Sequence, residues 1–145
     1  MALPDPQTQP DFYKDVAFKR LLAWVVDAVL TFVACVVILP FTLFTGLFVF
    51  PLMFLVVGSI YRVITIATGS ATWGMRLFAI ELRDATGGRM TASGAAMHTL
   101  GYTISWAIAP VQLVSMVMMA ITERGQGLSD QVMGTVMINR RAANR

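Results

Sequence analysis

The chain has 145 residues, of which 57% are hydrophobic and only 13% are charged. A soluble domain is about 45–50% apolar and about 25% charged, so this composition excludes an ordinary soluble fold. Residues 28–61 and 90–122 contain no Asp, Glu, Lys or Arg, which also excludes a disordered chain, and the single cysteine excludes a disulfide scaffold. We therefore expect an all-α integral membrane protein.

The N-terminal segment is polar and rich in proline, so we predict a mobile tail over residues 1–17. A secretory signal starts with basic residues and continues with an apolar core of about 7–15 residues. Here the basic residues come late, and the apolar run after them is too long and contains Asp27. We therefore expect the first helix to remain as a membrane anchor. It belongs to a membrane domain over residues 18–139, followed by a basic C-terminal tail over residues 140–145.

Two apolar segments are long enough to cross a bilayer, whose core of about 30 Å needs about 20 apolar helical residues. They cover residues 21–39, which Pro40 ends, and residues 51–67. Basic residues lie before the first segment and after the second, whereas the connection between them has none. The positive-inside rule then places the N-terminus and residues 68–90 in the cytoplasm. We predict a multi-pass protein of the cell inner membrane.

The third apolar stretch covers residues 92–121, and a straight helix of that length would measure about 45 Å, too long for one span. Pro110 near its middle interrupts a helix. A single crossing would place the last four arginines outside the cell. A membrane hairpin bent at Ala109–Pro110 would return them to the cytoplasm, although each arm is short for a full crossing. We prefer the hairpin because it keeps the basic residues on one side.

Two segments next to the predicted spans have the character of strands. Residues 78–83 alternate with a period of two, and residues 135–139 form a short β-prone run. A lone strand leaves its backbone groups unpaired, so we expect the two segments to form a cytoplasmic β-ribbon. Residues just before the second strand indicate one helical turn, with Ser129 as its N-cap and Gly134 as its end.

Two charged side chains lie inside the predicted spans. A carboxylate such as Asp27 costs about 2.5–3.5 kcal/mol to place in hydrocarbon on insertion scales, so it is a candidate functional residue. Arg62 lies at a matching depth in the second span, which predicts an Asp27–Arg62 ion pair. The alternative is that Arg62 extends to the lipid headgroups while Asp27 only stabilises packing. Nearer the surface, we expect Arg20 or Arg76 to neutralise Asp130.

Three of these residues form a pattern along the chain. Arg20 begins the first helix, Asp27 follows seven residues later on the same helix face, and Asp130 precedes a Gly-Thr strand. The stretch 18–27, Phe-Lys-Arg-Leu-Leu-Ala-Trp-Val-Val-Asp, closely resembles the opening motif of the RDD family of membrane proteins, which is named for this triplet.

Two further motifs of the RDD family have counterparts here. Residues 74–76, Gly-Met-Arg, and the hydrophobic strand after them resemble the middle motif, with Met75 in place of its usual Lys. Residues 128–136 resemble the closing motif, with Ser129 in place of its usual His. The resemblance extends over residues 16–139.

The resemblance implies a membrane protein whose role is unsettled, with transport as the usual suggestion and cation/proton antiport in some members. We therefore expect transport of a cation, a proton or a small solute. The alternative is a non-catalytic accessory or stabilising subunit of a larger membrane complex. Since so few helices enclose little space, we expect a homo-oligomer or a larger complex in the lipid bilayer. The expected charge cluster, for transport or for structure, consists of Arg20, Asp27, Arg62, Arg76 and Asp130.

Other signals point away from catalysis. The glycine-rich segment 69–74 lacks the Lys-Ser/Thr of a phosphate-binding loop. His98 and Cys35 have no neighbours at metal-ligand spacing, and no nucleophile is paired with a base. The net charge of +3 is ordinary for loops beside anionic lipid. We therefore expect no enzymatic activity, no cofactor, no metal site and no nucleic-acid partner.

Overall fold

The computed structural model describes residues 3–140, and most of them are helical. Of the predicted basic tail over residues 140–145, only Arg140 lies among the described residues. The helices and strands in chain order are α1 (Val16–Ile38), α2 (Phe50–Gly69), α3 (Trp73–Leu77), β1 (Ile80–Arg83), α4 (Ala92–Ala107), α5 (Ala109–Ile121), α6 (Leu128–Met133) and β2 (Val136–Asn139).

Helices α1 and α2 correspond to the two predicted spans, and both are long and apolar enough to cross a membrane. They contain 23 and 20 residues. The α-helical part of α1 ends two residues before Pro40, and Pro51 lies in the first turn of α2, where its missing N–H has no intrahelical partner to lose. Short 3₁₀ turns at Leu39–Thr42 and Thr45–Leu47 connect the two helices.

Helices α4 and α5 form a bent pair, in which the helix axis changes direction by 117° at the break. The break is at Ile108, whose backbone is extended, and Pro110 lies in the first turn of α5. With 16 and 13 residues, the two arms measure about 24 and 20 Å, shorter than a bilayer core of about 30 Å. The predicted break is present, one residue earlier than predicted, and it makes the pair a broken span or a re-entrant loop rather than one straight helix.

The predicted pairing of the two strands is confirmed, and the ribbon is slightly shorter than expected. Strands β1 and β2 pair antiparallel, with Ile80 opposite Asn139 and Arg83 opposite Val136. The first strand starts late because Ala79 has a positive φ of 55°, which turns the chain out of α3 before the strand begins.

The ribbon lies at the end of the molecule where α1 begins and α2 ends, which we call the ribbon end. Lys19 in the first turn of α1 donates its Nζ to Oδ1 of Asn139 at 2.7 Å. The backbone N–H of Leu82 donates to the carbonyl of Ser70, the residue after α2, at 2.7 Å. Both strands therefore belong to one side of the bundle, as a returning hairpin requires.

Both faces of the ribbon are buried. One face contributes to the main apolar core, whose members are Val16, Ala23, Ile66, Ala71, Met75, Ile80, Leu82, Met90, Ala95 and Met137. On the other face, Val136 and Ile138 pack against Tyr13. The amide of Asn139 donates to the carbonyls of Asp11 and Lys14, both at 2.8 Å. The described part of the segment that we predicted as a mobile tail thus lies against the ribbon, and its last two residues belong to α1.

The prediction of Ser129 as the N-cap of the last helix is wrong. Gly127 occupies that position, and Ser129 lies inside α6. The reason is that the carboxylate of Asp130, in the first turn, reaches back to the N–H of Gly127 at 3.1 Å and satisfies the helix start. Gly134, with a φ of 71°, ends the helix as predicted.

Candidate functional site

The carboxylate of Asp130 is the centre of a buried polar cluster at the ribbon end. Its side chain has no exposed surface. Oδ2 accepts from Nη1 of Arg20 at 2.5 Å and from the Gly127 N–H at 3.1 Å. Oδ1 accepts from the Thr135 hydroxyl at 2.9 Å and contacts Nε2 of His98 at 2.7 Å. Both oxygens of the carboxylate are therefore fully occupied.

Two opposing effects act on the ionisation of Asp130. Burial by itself raises the pKa of the carboxyl, but the Arg20 charge and the hydrogen bond from His98 outweigh it, so the pKa lies below its usual value. An ionised carboxylate can only accept, so Nε2 of His98 carries the proton in this contact. Sequence reasoning missed His98, because it is 32 positions from Asp130 on another helix and no motif connects them.

The expectation that Arg20 or Arg76 neutralises Asp130 is resolved in favour of Arg20. The guanidinium of Arg76 instead donates to the carbonyls of Ala71 at 3.2 Å and Thr65 at 3.4 Å. These carbonyls lie at and just beyond the C-terminal end of α2, where a positive charge complements the helix dipole. Arg76 therefore stabilises the end of α2 and stands apart from the Asp130 cluster.

The carboxylate of Asp27 binds the start of helix α3. Oδ1 accepts from the Tyr61 hydroxyl at 2.7 Å and from the Gly74 N–H at 2.9 Å. Oδ2 accepts from the Thr72 hydroxyl at 2.6 Å. Thr72 is the N-cap of α3, so a negative charge lies at the positive end of that short helix. Asp27 thereby holds the segment between α2 and the ribbon against α1.

The glycine at position 74 makes this close approach possible. A Cβ added there would lie 2.3 Å from the carbonyl oxygen of Ala23 and 2.8 Å from Oδ1 of Asp27. No side chain fits at these distances, because one of the two neighbours is backbone. The opening motif thus contacts the middle motif through Asp27 and Gly74, and it contacts the closing motif through Arg20 and Asp130.

The predicted Asp27–Arg62 ion pair is wrong, because the Asp27 carboxylate turns toward α3 and finds its donors there. The Arg62 guanidinium lies over the ring of Tyr102, with its central carbon 3.9 Å from the ring centroid, in a cation–π contact. Arg62 is only 7% exposed, so it does not extend to a headgroup layer either. The sequence placed Asp27 and Arg62 at the same depth in the membrane, but it did not determine the direction in which each side chain points.

Two cavities of about 350 Å³ each lie between the helices. One extends toward the ribbon end, where Arg20 and Ser129 line it, and the other extends away from it, where Phe50 and Pro51 line it. Five residues line both cavities, and we call them the shared wall: Trp24, Asp27, Arg62, Tyr102 and Trp106.

An aromatic stack forms the centre of the shared wall. The rings of Trp24 and Trp106 are nearly parallel, 8° apart, with centroids separated by 5.2 Å. Tyr102 packs edge-on against Trp106, with centroids 6.3 Å apart, and carries the Arg62 guanidinium on its face. Helices α1, α2 and α4 therefore meet at one layer of stacked rings and one cation.

Two donors in the shared wall lack an acceptor. Nε of Arg62 and Nε1 of Trp106 are both buried, and neither has a hydrogen-bond partner within residues 3–140. Both groups can only donate. A buried polar group without a partner costs about 1–3 kcal/mol. The wall thus carries two unsatisfied donors, whereas the carboxylate of Asp27 accepts three hydrogen bonds and that of Asp130 receives four contacts.

Comparison with known proteins identifies the family. The sequence model of the RDD family matches residues 16–134, which include Arg20, Asp27 and Asp130. No curated protein and no solved structure matches the chain significantly. The family match covers most of the chain, and α1 and α2 are apolar enough to cross a membrane. The chain is therefore a membrane protein that belongs to the RDD family.

Proposed function

We propose that this RDD family member moves a small solute across the cell inner membrane. The observation that carries the proposal is the pair of cavities on either side of one aromatic wall. Each is at the lower end of the range of about 300–1,000 Å³ that is typical of small-molecule sites. A solute bound on one side of such a wall needs only a local rearrangement of the wall to reach the other side.

The position of the wall next to the helix break supports this mechanism. Trp106 is the penultimate residue of α4, and the break follows at Ile108. An extended residue between two helices can absorb a change of φ and ψ without breaking either helix. In our proposal, a change at Ile108 moves Trp106 off Trp24 and joins the two cavities.

Among a cation, a proton and a small solute, the geometry favours the solute. A carboxylate that binds a cation or exchanges a proton needs oxygens with free lone pairs. The oxygens of Asp27 already accept three hydrogen bonds, and those of Asp130 are enclosed at the ribbon end. Cation exchange would require breaking the contacts that hold α3 and α6 in place.

The alternative role, an accessory or stabilising subunit of a larger complex, has an observation of its own. In the most apolar windows of α1 and α2, only 22% and 17% of the residues are buried within the chain. The remaining surface faces lipid, a second copy or another membrane protein. In this alternative the aromatic wall is a packing element, and the chain carries no flux of its own.

Flux in proteoliposomes separates the two roles. Uptake of protons, Na⁺, K⁺ and a panel of small charged and uncharged organic solutes is measured under an imposed pH gradient. Ala28→Phe fills the cavity away from the ribbon end, whereas Val29→Phe places the same ring on the exposed face of α1. The proposal expects protein-dependent flux of at least one solute, abolished by Ala28→Phe and kept by Val29→Phe. Absence of flux, or equal flux in both variants, rejects it.

We also propose that the N-terminus and the ribbon end face the cytoplasm. The support is the clustering of basic residues at that end and the pairing of β1 with β2. A cysteine introduced at position 145, with Cys35→Ala, is labelled with a membrane-impermeant maleimide in intact cells and in opened cells. Labelling only after opening is expected. Labelling in intact cells contradicts this orientation.

A further inference from the structure

We propose that the shared wall binds an organic anion, that is, an oxyanion group on an apolar or aromatic body, through Arg62 and Trp106. This inference names the solute class of the transport proposed above and rests on it for its biological meaning. The binding itself can be measured without any transport.

The shared wall contains two charged side chains. Asp27 and Arg62 have opposite charges and both line the two cavities. The Asp27 oxygens are occupied by Tyr61, Thr72 and Gly74. Nε of Arg62 has no hydrogen-bond partner among residues 3–140, and the guanidinium lies on the face of the Tyr102 ring. The charge that remains available to a ligand is therefore the positive one.

The indole of Trp106 is a second donor in the wall, and it is uncharged. Its Nε1–H is buried and has no acceptor within the described part of the chain. An indole N–H cannot accept, so only an acceptor atom satisfies it. Arg62 and Trp106 line the same two cavities, and Tyr102, which contacts both, holds them in one layer. An oxyanion has enough lone pairs to accept from both residues at once.

The rest of the ligand would contact apolar surfaces. Beyond the wall, the cavities are lined mainly by apolar side chains such as Phe54, Leu55 and Met116. A small hydrated inorganic ion would leave these surfaces without a partner, whereas an apolar or aromatic body covers them. The ligand can come from two sources that share this chemistry, a water-soluble organic anion or an anionic lipid that enters from the bilayer.

The test measures binding of a permanently charged probe to the full chain in phosphatidylcholine nanodiscs. Radiolabelled benzenesulfonate is titrated by equilibrium dialysis, with benzenesulfonamide as its uncharged counterpart. We expect saturable binding of the sulfonate and at least about tenfold weaker binding of the sulfonamide. Arg62→Gln is expected to weaken sulfonate binding at least about tenfold. Arg124→Gln, which makes the same change outside both cavities, is expected to bind like the parent.

Two further variants keep the test decisive if Arg62→Gln fails to fold. Trp106→Phe keeps the ring stack and removes the N–H, so it should weaken sulfonate binding several-fold. Arg62→Lys keeps the charge but loses the planar donors, so it should bind between the parent and Arg62→Gln. Parent-like affinity in both of these variants overturns the proposal.

A second arm identifies the source of the anion. Phosphatidylglycerol is added to the nanodiscs, and retained lipid is detected by native mass spectrometry. If the ligand is a lipid, phosphatidylglycerol displaces the sulfonate from the parent and is not retained by Arg62→Gln. If the sulfonate binds equally with and without that lipid, the source is aqueous.

The inference is overturned if the parent binds neither the sulfonate nor phosphatidylglycerol, or if a folded Arg62→Gln variant binds them equally well. These results are distinct from failure of the transport proposal. Anion binding without flux would reject transport and leave the anion site standing. Flux that Ala28→Phe abolishes, without any anion binding, would reject the anion site alone.

Discussion

A buried charge is fully paired at the ribbon end, whereas a buried charge in the shared wall lacks a hydrogen-bond partner for its Nε among residues 3–140. At the ribbon end, Asp130 accepts four contacts, among them the Arg20 guanidinium at 2.5 Å. At the wall, Arg62 and Trp106 present buried donors that no described residue accepts. A carboxylate whose acceptor sites are all occupied fixes the positions of its donors, whereas unsatisfied donors that line a cavity keep hydrogen-bonding capacity for a ligand. We therefore assign a structural role to the Asp130 carboxylate and recognition to the shared wall.

The largest effect is expected from Asp130→Ala. Removing one partner of a buried ion pair costs about 3–5 kcal/mol, and this change also leaves His98 and Thr135 without their partner. Thermal unfolding in nanodiscs should show a melting temperature lower by about 10 °C, or no folded protein.

The matched control for this prediction is Asp84→Asn. All the hydrogen bonds that Asp84 receives from Thr86 and Gly88 reach its Oδ1, an oxygen that asparagine keeps. Its melting temperature should equal that of the parent. If Asp130→Ala melts as Asp84→Asn does, the ribbon-end cluster has no structural role.

The same carboxylate predicts a pH dependence. The pKa of Asp130 is lower in the folded protein than in the unfolded chain, so ionisation stabilises the fold above the unfolded value of about 3.9. This contribution is lost as the pH falls below that value toward the folded pKa. At pH values below about 4, the melting temperature should therefore decrease, and this decrease should be smaller in a folded Asp130→Asn variant. If both proteins show the same decrease at acid pH, groups other than Asp130 cause it.

A smaller effect is expected from Gly74→Ala. The new Cβ would lie 2.3 Å from the backbone oxygen of Ala23, so α3 has to move away from α1. Overpacking of this kind costs about 1–3 kcal/mol. Gly58→Ala is the control, because its Cβ would meet its nearest neighbour, a methyl group of Thr31, at an ordinary 3.4 Å. Equal melting temperatures for the two variants would show that the α1–α3 contact is unimportant.

Asp27→Asn should cost less than Gly74→Ala but affect function more. An asparagine keeps one acceptor oxygen, so at least one of the bonds from Tyr61, Thr72 and Gly74 is lost, at about 1–2 kcal/mol. Because Asp27 also lines both cavities, we expect flux or assembly to be abolished while Asp84→Asn remains silent. If Asp27→Ala has the stability, flux and assembly of the parent, Asp27 has no important role in structure or function.

Much of the fold could be predicted from the sequence because its signals are local. Uncharged runs and prolines mark the spans and the break, and a period of two marks β1. The expectation that Arg20 or Arg76 neutralises Asp130 followed from a motif resemblance joined to the topology, and the structure decided for Arg20. Each of these inferences depends only on where a residue lies along its helix or strand.

The site could be predicted only in part, because its partners depend on directions around the helix axes. Asp27 and Arg62 are at one level, yet they point to α3 and to Tyr102 respectively. His98 reaches Asp130 only because α4 packs on α6. The cavities arise from how bulky rings on three helices fit together, and no sequence pattern encodes that fit.

The most direct test compares two arginines in the same nanodiscs by thermal unfolding. Arg20→Gln removes the cation of the Asp130 cluster, and Arg62→Gln removes the cation that lacks a carboxylate partner. We predict that Arg20→Gln lowers the melting temperature by about 10 °C. We predict that Arg62→Gln shifts it by less than about 3 °C, because the lost ring contact is offset by relief of an unsatisfied donor. Equal destabilisation by both changes would contradict the division between structure and recognition.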